Sequence, residues 1–346
     1  MKEKNNRPAV SKRTCLRMTE QQKKIKPMFL FKEALFISAI ALAAACSQKP
    51  CMEITVLNRQ VLKDVKSASG LEILDKTLYV IGDNSPWLYK INNAYQIEEK
   101  QPIASVEGLD DGVIPKAIKP DFEAMAIAEK QEGKEFFIFG SGSKSPQRDK
   151  MITVDLGNRE VKSYSLEAFY KKLKEAADLD DESLNIEGAI IKDEALFLFN
   201  RGENLILKYQ LKELEGYLEG KRDSPAPEVY LIKLPEIKGV KAGFSGAAIV
   251  PGENKALFTA SVEDTEDWIK DGEVLGSFVG MIPLSGLKDN LQPDCVRLTE
   301  NGQPLNIKVE SLAVFYPALH NDLRLLLVTD SDGGDSELLE ANLHWR

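Results

Sequence analysis

Histidine is almost absent from this chain of 346 residues, which contains only His320 and His344. Neither residue lies in a repeated segment, so the sequence gives little support to a histidine-based zinc site or a catalytic triad. Sequences of the GxSxG, P-loop or GxGxxG type are also lacking in a suitable setting. The chain therefore carries no motif that assigns it to a common class of hydrolase or nucleotide-binding enzyme.

Clustered positive charge is lacking too. The sequence has 45 Lys and Arg against 54 Asp and Glu, a formal net charge of −9, and the acidic residues are spread along the chain. Binding to a nucleic-acid backbone depends on clustered Lys and Arg. We therefore expect no nucleic-acid partner.

A hydrophobic run of the length that spans a bilayer, about 20 residues, is missing from the N-terminal region. The apolar run there covers only residues 34–46 and follows a basic segment, residues 1–27. A basic segment, a short apolar core and small residues before a cleavage site are typical of a secretory signal. The run ends at Cys46 and resembles the lipobox of bacterial lipoproteins, although Ala43 stands where Leu is usual.

The lipobox predicts that residues 1–45 are removed, that Cys46 is lipidated, and that residues 46–52 tether the protein to the membrane. A plain signal peptide or an anchor helix is the alternative, and translation could begin at Met18 or Met28. We expect a protein of the bacterial cell envelope, anchored by lipid in the outer membrane and facing the periplasm.

Cysteine is scarce, and only Cys51 and Cys295 follow Cys46. An exported compartment permits a disulfide between them, but free cysteine is commonly a buried core residue. The sequence leaves both outcomes open, a bridge between the two or two separate thiols.

What the chain does contain is a short phrase that returns five times: a Ser or Glu, a small residue, and three or four apolar residues. The first residue of the phrase is Ser69, Glu123, Glu187, Ser245 and Glu310 in turn, so that consecutive units begin 54 to 65 residues apart. Recurrence at a similar interval indicates an array built from one supersecondary unit.

Each phrase is followed by a second and a third apolar run and, in four of the units, by a more polar fourth run. The apolar runs have the length and the β-branched and aromatic content of buried strands. A polar outermost strand suits an edge that faces water. Repeated four-stranded meanders are typical of a β-propeller. The sequence therefore predicts an all-β fold, a five-bladed β-propeller of four-stranded antiparallel blades, as a single domain over residues 53–346.

The fifth unit reaches only its third strand before the chain ends at Arg346. Residues 53–62 precede the first phrase and form an unassigned strand, which we expect to complete the last blade and close the ring. Residues 166–178, with Ser165 as N-cap, and residues 210–220 have helical spacing instead. Both are expected as short helical insertions between blades.

Three of the repeated residues are carboxylates at equivalent places on the strands that would line the central channel: Glu123, Glu187 and Glu310. Carboxylates brought close together cannot all stay charged without a cation or basic partners. Ca²⁺ suits such a site because it takes about six to eight oxygen ligands, and Asp83 and Asp330 offer two more carboxylates. The alternative is that each Glu holds the blades together by binding backbone N–H groups or an Arg.

The ends of the second strands form another polar set, and loops on a rigid scaffold often carry function. Ser141, Asn200 and Asp264 are ligand-binding candidates in this set. Arg148 and Arg201 could form a pincer for a carboxylate or phosphate, whose geometry matches the guanidinium fork. They could equally neutralise the glutamates.

The units, with opening strands of the Glu-Gly-Ala-Ile type at residues 187–190, resemble the esterase-like phytase and SdiA-regulated propeller domains of exported bacterial proteins over about residues 53–343. Arg201-Gly202 is similar to a pair in uncharacterised propeller-like lipoproteins. The phytase resemblance implies a Ca²⁺-dependent phosphoester hydrolase with an acidic funnel. Lysines that would hold a polyphosphate in the ring are not evident in the sequence, which counts against phytase activity.

Two hypotheses of function follow. The first is a lipoprotein whose propeller binds a small anionic ligand or an envelope protein without catalysing a reaction. The alternative is a Ca²⁺-dependent hydrolase of phosphoesters or lactones, in which the metal polarises the substrate and activates water. The binding protein is favoured because no single acid–base pair stands out, and no catalytic residue is assigned.

Overall fold

A computed structural model describes residues 52–130, 133–264, 272–317, 321–330 and 334–346. The chain divides into two units, Met1–Lys49 and Pro50–Arg346, and all described residues belong to the second. The expected leader, the lipidation site Cys46 and Cys51 lie outside the described residues.

The described part contains five four-stranded antiparallel sheets, and the strand that opens it, β1 (Met52–Lys66), belongs to the fifth of them. Blade 1 contains β2 (Ala68–Leu74), β3 (Thr77–Gly82), β4 (Trp87–Ile91) and β5 (Ile97–Pro102). Blade 2 contains β6 (Phe122–Lys130), β7 (Gly133–Gly140), β8 (Lys150–Asp155) and β9 (Val161–Ser165). Blade 3 contains β10 (Ile186–Lys192), β11 (Ala195–Asn200), β12 (Leu205–Gln210) and β13 (Glu228–Leu231).

Two short hairpins flank blade 4. The first pairs β14 (Glu236–Ile237) with β15 (Val240–Lys241). Blade 4 then contains β16 (Gly243–Ile249), β17 (Lys255–Asp264), β18 (Glu273–Pro283) and β19 (Asp294–Arg297), with a 3₁₀ turn at Leu284–Gly286. The second hairpin pairs β20 (Thr299–Glu300) with β21 (Gln303–Pro304). Blade 5 contains β22 (Val309–Pro317), β23 (Asp322–Thr329), β24 (Asp335–Trp345) and β1.

The N-terminal strand closes the ring. β1 runs antiparallel to β24, from Met52 opposite Trp345 to Lys66 opposite Asp335. The sheet order of blade 5 is accordingly β1-β24-β23-β22. The prediction of five blades, the last completed by the strand that precedes the first phrase, is confirmed.

The first strand of each blade is innermost. β2 lies beside β6 and β22, β10 lies beside β6 and β16, and β16 lies beside β22. These contacts join the five first strands into a closed ring in the order in which they occur in the chain. The strands that carry the repeated phrase therefore surround the central channel, as expected for a propeller.

The hydrophobic core consists of five clusters, one at each boundary between neighbouring blades. Between blades 3 and 4, Phe244 packs edge to face on Phe199 and Phe258, with ring centroids 5.2 and 5.1 Å apart. Each blade is thus covered on both faces, which is why its inner strands are continuous apolar runs instead of alternating ones.

Two helices are inserted where helical spacing predicts them, α1 (Glu167–Ala177) and α2 (Leu211–Leu218). Helix α1 buries Phe169, Tyr170 and Leu173 in the core between blades 2 and 3. Leu166, not Ser165, occupies its N-cap position, although the Glu167 N–H donates to the Ser165 hydroxyl at 3.4 Å. The helix therefore begins one residue later than expected.

Cys295 is half-buried on β19 and forms no disulfide within the described residues, and its Sγ donates to the Pro293 carbonyl at 3.5 Å. Burial raises the pKa of this thiol to about 12, so it is a poor nucleophile. Its expected partner Cys51 lies outside the described residues, and the disulfide stays a prediction.

The small residue of the repeated phrase lies where two inner strands approach each other. At Gly246, an added Cβ would lie 2.7 Å from both the Glu310 carbonyl oxygen and the Ser311 Cα of the neighbouring blade. Backbone atoms cannot move aside as a flexible side chain can. The phrase therefore encodes, at this position, the close contact between blades 4 and 5.

Replacement of Gly246 by Ala is expected to lower the free energy of unfolding by about 2 kcal/mol, because overpacking against fixed atoms costs roughly 1–3 kcal/mol. Gly286→Ala is the matched control, since its added Cβ would meet only the Pro283 Cγ at 3.7 Å. Denaturant unfolding of both variants measures the difference. Equal stability of the two variants would contradict the close-approach explanation.

Candidate functional site

The repeated Ser or Glu is the extra residue of a β-bulge in every blade. The pairing between first and second strand shifts register across this residue each time, between residues 68 and 70, 122 and 124, 186 and 188, 244 and 246, and 309 and 311. A bulged residue leaves the ladder and its side chain is re-aimed. The phrase thus specifies a side chain that stands out of the sheet at the start of each inner strand.

The residues that follow the second strands lie at the same end of the blades. The N–H of Asp83 donates to the Ser67 carbonyl at 3.1 Å, and that of Ser141 donates to the Asp121 carbonyl at 2.9 Å. In blade 3 the Arg201 N–H donates to the Asn185 carbonyl at 2.8 Å. The two polar sets of the sequence therefore form one region, because the antiparallel pairing joins the end of each second strand to the start of the first.

The two bulged serines hold neighbouring blades together. The Ser69 hydroxyl donates to the Phe122 carbonyl of blade 2 at 2.5 Å, and the Ser245 hydroxyl donates to the Val309 carbonyl of blade 5 at 2.6 Å. Each acceptor directly precedes the next bulged residue. At these two positions the structure shows a contact that links the blades.

The three bulged glutamates behave differently. Glu187 Oε1 accepts from Asn185 Nδ2 at 2.7 Å, and Glu310 Oε1 lies 2.9 Å from Lys308 Nζ. Both glutamates are buried, whereas Glu123 is half-buried. Among the described residues, Glu123 makes no hydrogen bond and no ion pair. It interacts with neighbouring charged groups only through their charges.

An ion-pair chain joins blades 1 and 2. Lys119 Nζ pairs with Asp83 Oδ2 and, at 2.6 Å, with Asp121 Oδ1. Arg148 Nη1 lies 2.6 Å from Asp121 Oδ2 and donates to the Ser143 hydroxyl, also at 2.6 Å. Asp83, Asp121 and Glu123 offer carboxylate oxygens within 4.8 Å of one another. The Lys119 ammonium is thus already bound by two of these three carboxylates.

A second chain joins blades 3, 4 and 5. Arg201 donates to the Ser261 hydroxyl at 2.8 Å and to the Phe244 carbonyl at 3.3 Å, and it lies 3.5 Å from Glu263 Oε1. Lys308 Nζ lies 3.1 Å from the same Glu263 oxygen. Gly243 leaves room for Arg201, because an added Cβ there would lie 2.7 Å from its Cγ.

We call these ten charged residues the channel-mouth cluster: the carboxylates Asp83, Asp121, Glu123, Glu187, Glu263 and Glu310, and the cations Lys119, Arg148, Arg201 and Lys308. Six carboxylates face four cations. The cluster therefore has two negative charges in excess when every group is ionised.

Burial and mutual repulsion oppose this full ionisation. Burial, together with the charges of Asp121 and Glu187, raises the pKa of Glu123 well above its usual value. Burial also raises the pKa of Glu187, against the effect of Arg201, and raises the pKa of Glu310 to about 8, against the effect of Lys308. At Glu263 burial acts in the same direction, but Arg201 and Lys308 prevail and the pKa is lowered.

The structure brings most of the expected site residues together. Asp83, Glu123, Glu187, Glu310, Arg148 and Arg201 belong to the cluster, and Ser141 donates to Asp121 Oδ2 at 2.5 Å. The Asn200 amide binds backbone, accepting from the Asn185 N–H at 2.7 Å and donating to the Ser183 carbonyl at 3.0 Å. Asp264 is exposed at the end of β17, and Asp330 is half-buried just beyond β23.

Two lysines of the cluster were not expected from the sequence, and both are paired with carboxylates. Lys119 lies four residues before Glu123, and Lys308 lies two residues before Glu310. Asp121 and Glu263 were missed as well. A signal for these partners lies two residues before each of the three bulged glutamates, since Asp121, Asn185 and Lys308 occupy this position and contact the site.

A family model described as "Family of unknown function (DUF6929)" matches residues 64–343. The chain belongs to this family. The match extends from the end of β1 into β24 and so includes the whole cluster. No curated protein matches the sequence.

Solved propeller structures are similar in fold. Glutaminyl cyclase from Myxococcus xanthus is 10% identical, with 86% of this chain and 100% of that chain covered at a TM-score of 0.49. The PQQ-bound aldose sugar dehydrogenase from Streptomyces coelicolor is 13% identical, with 85% and 99% covered at 0.38. A streptogramin B lyase is 9% identical, with 85% and 98% covered at 0.37. These likenesses concern the fold alone, and they do not confirm the resemblance to phytase-like or SdiA-regulated propellers.

In the described part of the chain, no helix combines the length and apolar character that crossing a membrane requires.

One further carboxyl on an inner strand lies outside the cluster. Glu72 is half-buried on β2, opposite Tyr79 of β3. Burial raises the pKa of Glu72 to about 8, although a hydrogen bond from the Ile73 backbone lowers it. Because the folded state holds this proton more tightly than the unfolded state, Glu72 stabilises the fold below its unfolded pKa of 4.5, and this stability is lost as the pH rises through about 8.

Glu72→Gln is therefore expected to unfold at a higher temperature than the unchanged protein at pH values above about 8, and at nearly the same temperature at about pH 4. Melting curves across this pH range measure the effect. Glu53→Gln, an exposed position on β1, is the control and should follow the unchanged protein throughout. A Glu72→Gln variant that is no more stable at high pH would show that burial of this carboxylate is not costly.

Proposed function

We propose that this protein is a binding protein and that its small ligand enters the channel-mouth cluster with a positively charged group. The observation that supports this most is the excess of carboxylates over cations, six against four, among buried and half-buried side chains. Removal of charge from water is costly unless each charge is paired. Burial, and after it the charges of Asp121 and Glu187, raise the pKa of Glu123, and a cation supplied by the ligand would stabilise its charged form.

An anionic ligand has less support than the sequence suggested. Arg148 is bound to Asp121 and Ser143, and Arg201 is bound to Ser261, Phe244 and Glu263. An anion would have to displace carboxylates or backbone from both guanidinium groups. The arginines therefore fit the alternative role, the neutralisation of neighbouring carboxylates.

The Ca²⁺-dependent hydrolase is the second candidate, because Asp83, Asp121 and Glu123 have oxygens within 4.8 Å of one another. The donor set does not fit a divalent cation as it stands, since the Lys119 ammonium pairs with both aspartates. A metal ion would have to expel this lysine. We therefore derive no hydrolytic step, and Ca²⁺ binding stays the weaker proposal.

The cellular location is proposed on the sequence of residues 34–46. Its short apolar run and terminal cysteine support export and lipidation at Cys46. An envelope location facing the periplasm would expose the propeller to small solutes and to envelope proteins.

Ligand binding at the cluster is expected to raise the melting temperature of the purified full-length protein in spermidine, and not in sodium phosphate at the same ionic strength. A ligand at 100 times its dissociation constant stabilises by about 2.7 kcal/mol, which corresponds to roughly 5 °C or more for a domain of this size. EDTA should leave the melting temperature unchanged if no metal is bound beforehand.

Glu123→Gln should abolish the response to cations, whereas Glu53→Gln on the exposed face of β1 should keep it. Stabilisation by phosphate alone would overturn the proposed charge of the ligand. A fall of the melting temperature in EDTA, with metal found in the purified protein, would favour the Ca²⁺ candidate.

Cys46→Ser is expected to prevent incorporation of labelled palmitate and to shift the protein from the membrane to the soluble envelope fraction. Cys15→Ser is the control, because Cys15 precedes the apolar run. Unchanged labelling of the Cys46→Ser variant would show that the lipobox is not used.

A further inference from the structure

Nitrogen cations bridge three of the five blade boundaries in the cluster. Lys119 joins Asp83 of blade 1 to Asp121 at the start of blade 2. Arg201 reaches from blade 3 to Glu263 of blade 4, and Lys308 joins Glu263 to Glu310 of blade 5. At each of these boundaries a carboxylate of one blade therefore meets an ammonium or guanidinium group that the chain itself supplies.

The boundary between blades 5 and 1 has a neutral link. The Leu71 N–H of blade 1 donates to the Ser311 hydroxyl of blade 5 at 3.2 Å. The bulged residues on its two sides are Glu310, already paired with Lys308, and Ser69. Only one of the two bulged residues at this boundary is a carboxylate, and Lys308 already pairs with it, so no further cation is needed.

The boundary between blades 2 and 3 is different, because its two bulged residues are Glu123 and Glu187. No other pair of neighbouring blades has a glutamate at both bulges. Among the described residues, no cation forms an ion pair with either carboxylate. Arg148 is bound within blade 2, and Arg201 forms its ion pair with Glu263 of blade 4. The charges of Arg201 and Lys308 lower the pKa of Glu187, and the charge of Lys119 lowers that of Glu123, but none of these cations forms an ion pair with either glutamate in the described residues.

Carboxylate oxygens are free at this boundary. Glu187 is 8% exposed, and its one hydrogen bond within the described residues, from Asn185, occupies Oε1 and leaves Oε2 without a partner. Glu123 has no hydrogen bond among the described residues, and the charge of Glu187 helps to raise its pKa. Glu187 Oε2 and the Glu123 oxygens can therefore accept hydrogen bonds from a ligand, each beside a neighbouring carboxyl group.

We infer that a ligand ammonium group of the amine class binds between Glu123 and Glu187, and so supplies the nitrogen cation that the chain omits at this boundary. The inference rests on the proposed function and assigns its ligand chemistry. An ammonium group donates three hydrogen bonds, which suits a few separate carboxylate oxygens. Ca²⁺ takes about six to eight oxygens, and two carboxylates with one oxygen already engaged by Asn185 fall short of that number.

Isothermal titration calorimetry of the full-length protein tests the position, with spermidine as the ammonium probe. Glu123→Gln and Glu187→Gln should each weaken binding about tenfold or more. Glu72→Gln removes another half-buried inner-strand carboxylate, outside the cluster, and should leave the affinity within about twofold. Spermidine binding that survives both cluster substitutions would overturn the inferred position.

A tethered ammonium gives an independent test. Glu123→Lys places a nitrogen cation beside Glu187, as Lys308 lies beside Glu310. The variant should melt at a temperature at least as high as the unchanged protein and should no longer bind spermidine. Full spermidine binding by a folded Glu123→Lys variant would count against the inference.

The same titrations separate this inference from the proposed function. Binding of Ca²⁺ without binding of spermidine would overturn the ammonium group and leave a cation-binding propeller. Absence of binding by both probes would overturn the proposed function together with the inference. Spermidine binding that depends on both glutamates, with Ca²⁺ bound weakly or not at all, is the expected result.

Discussion

The β-bulge at the start of each inner strand is the constraint on which the site depends. A regular strand would pair the repeated residue with the second strand and place its side chain between two blades, among the apolar residues of the core. The bulge removes that residue from the ladder at the same point in all five blades. Five side chains from distant parts of the sequence are thereby gathered at one end of the channel.

The bulged position carries a serine in two blades and a glutamate in three, and the two residue types have different roles. At Ser69 and Ser245 a short hydroxyl reaches the backbone of the next blade and links the two without introducing charge. Because serine suffices there, the fold does not require a carboxylate at the bulge. The glutamates at the other three positions are buried or half-buried acids, which burial alone would make unfavourable. The five apolar clusters between blades supply the stability that offsets this cost.

Much of the fold follows from the sequence because each of its signals is local. The phrase marks the inner strands, the apolar runs mark the next two, and the strand left over before Ser69 is explained by an incomplete last unit. The equivalence of Glu123, Glu187 and Glu310 follows from the same alignment. The partners of these residues do not follow from the sequence, since Lys119 and Glu263 form ion pairs across blade boundaries, with Asp83 and Lys308. Which carboxylate binds each arginine is likewise set by packing, as the fit of Arg201 over Gly243 shows.

The pairing of β1 with β24 has a consequence for how the protein acquires its structure. The two strands are separated by almost the whole propeller, and Arg59 contacts Glu337 across 278 residues of sequence. Contacts between such distant segments form late, because the entropy of closing the loop is lost before the contact stabilises anything. During synthesis β1 stays without its partner until β24 has been made. Its free edge is then open to pairing with other chains, so the ring is most prone to misassembly just before it closes.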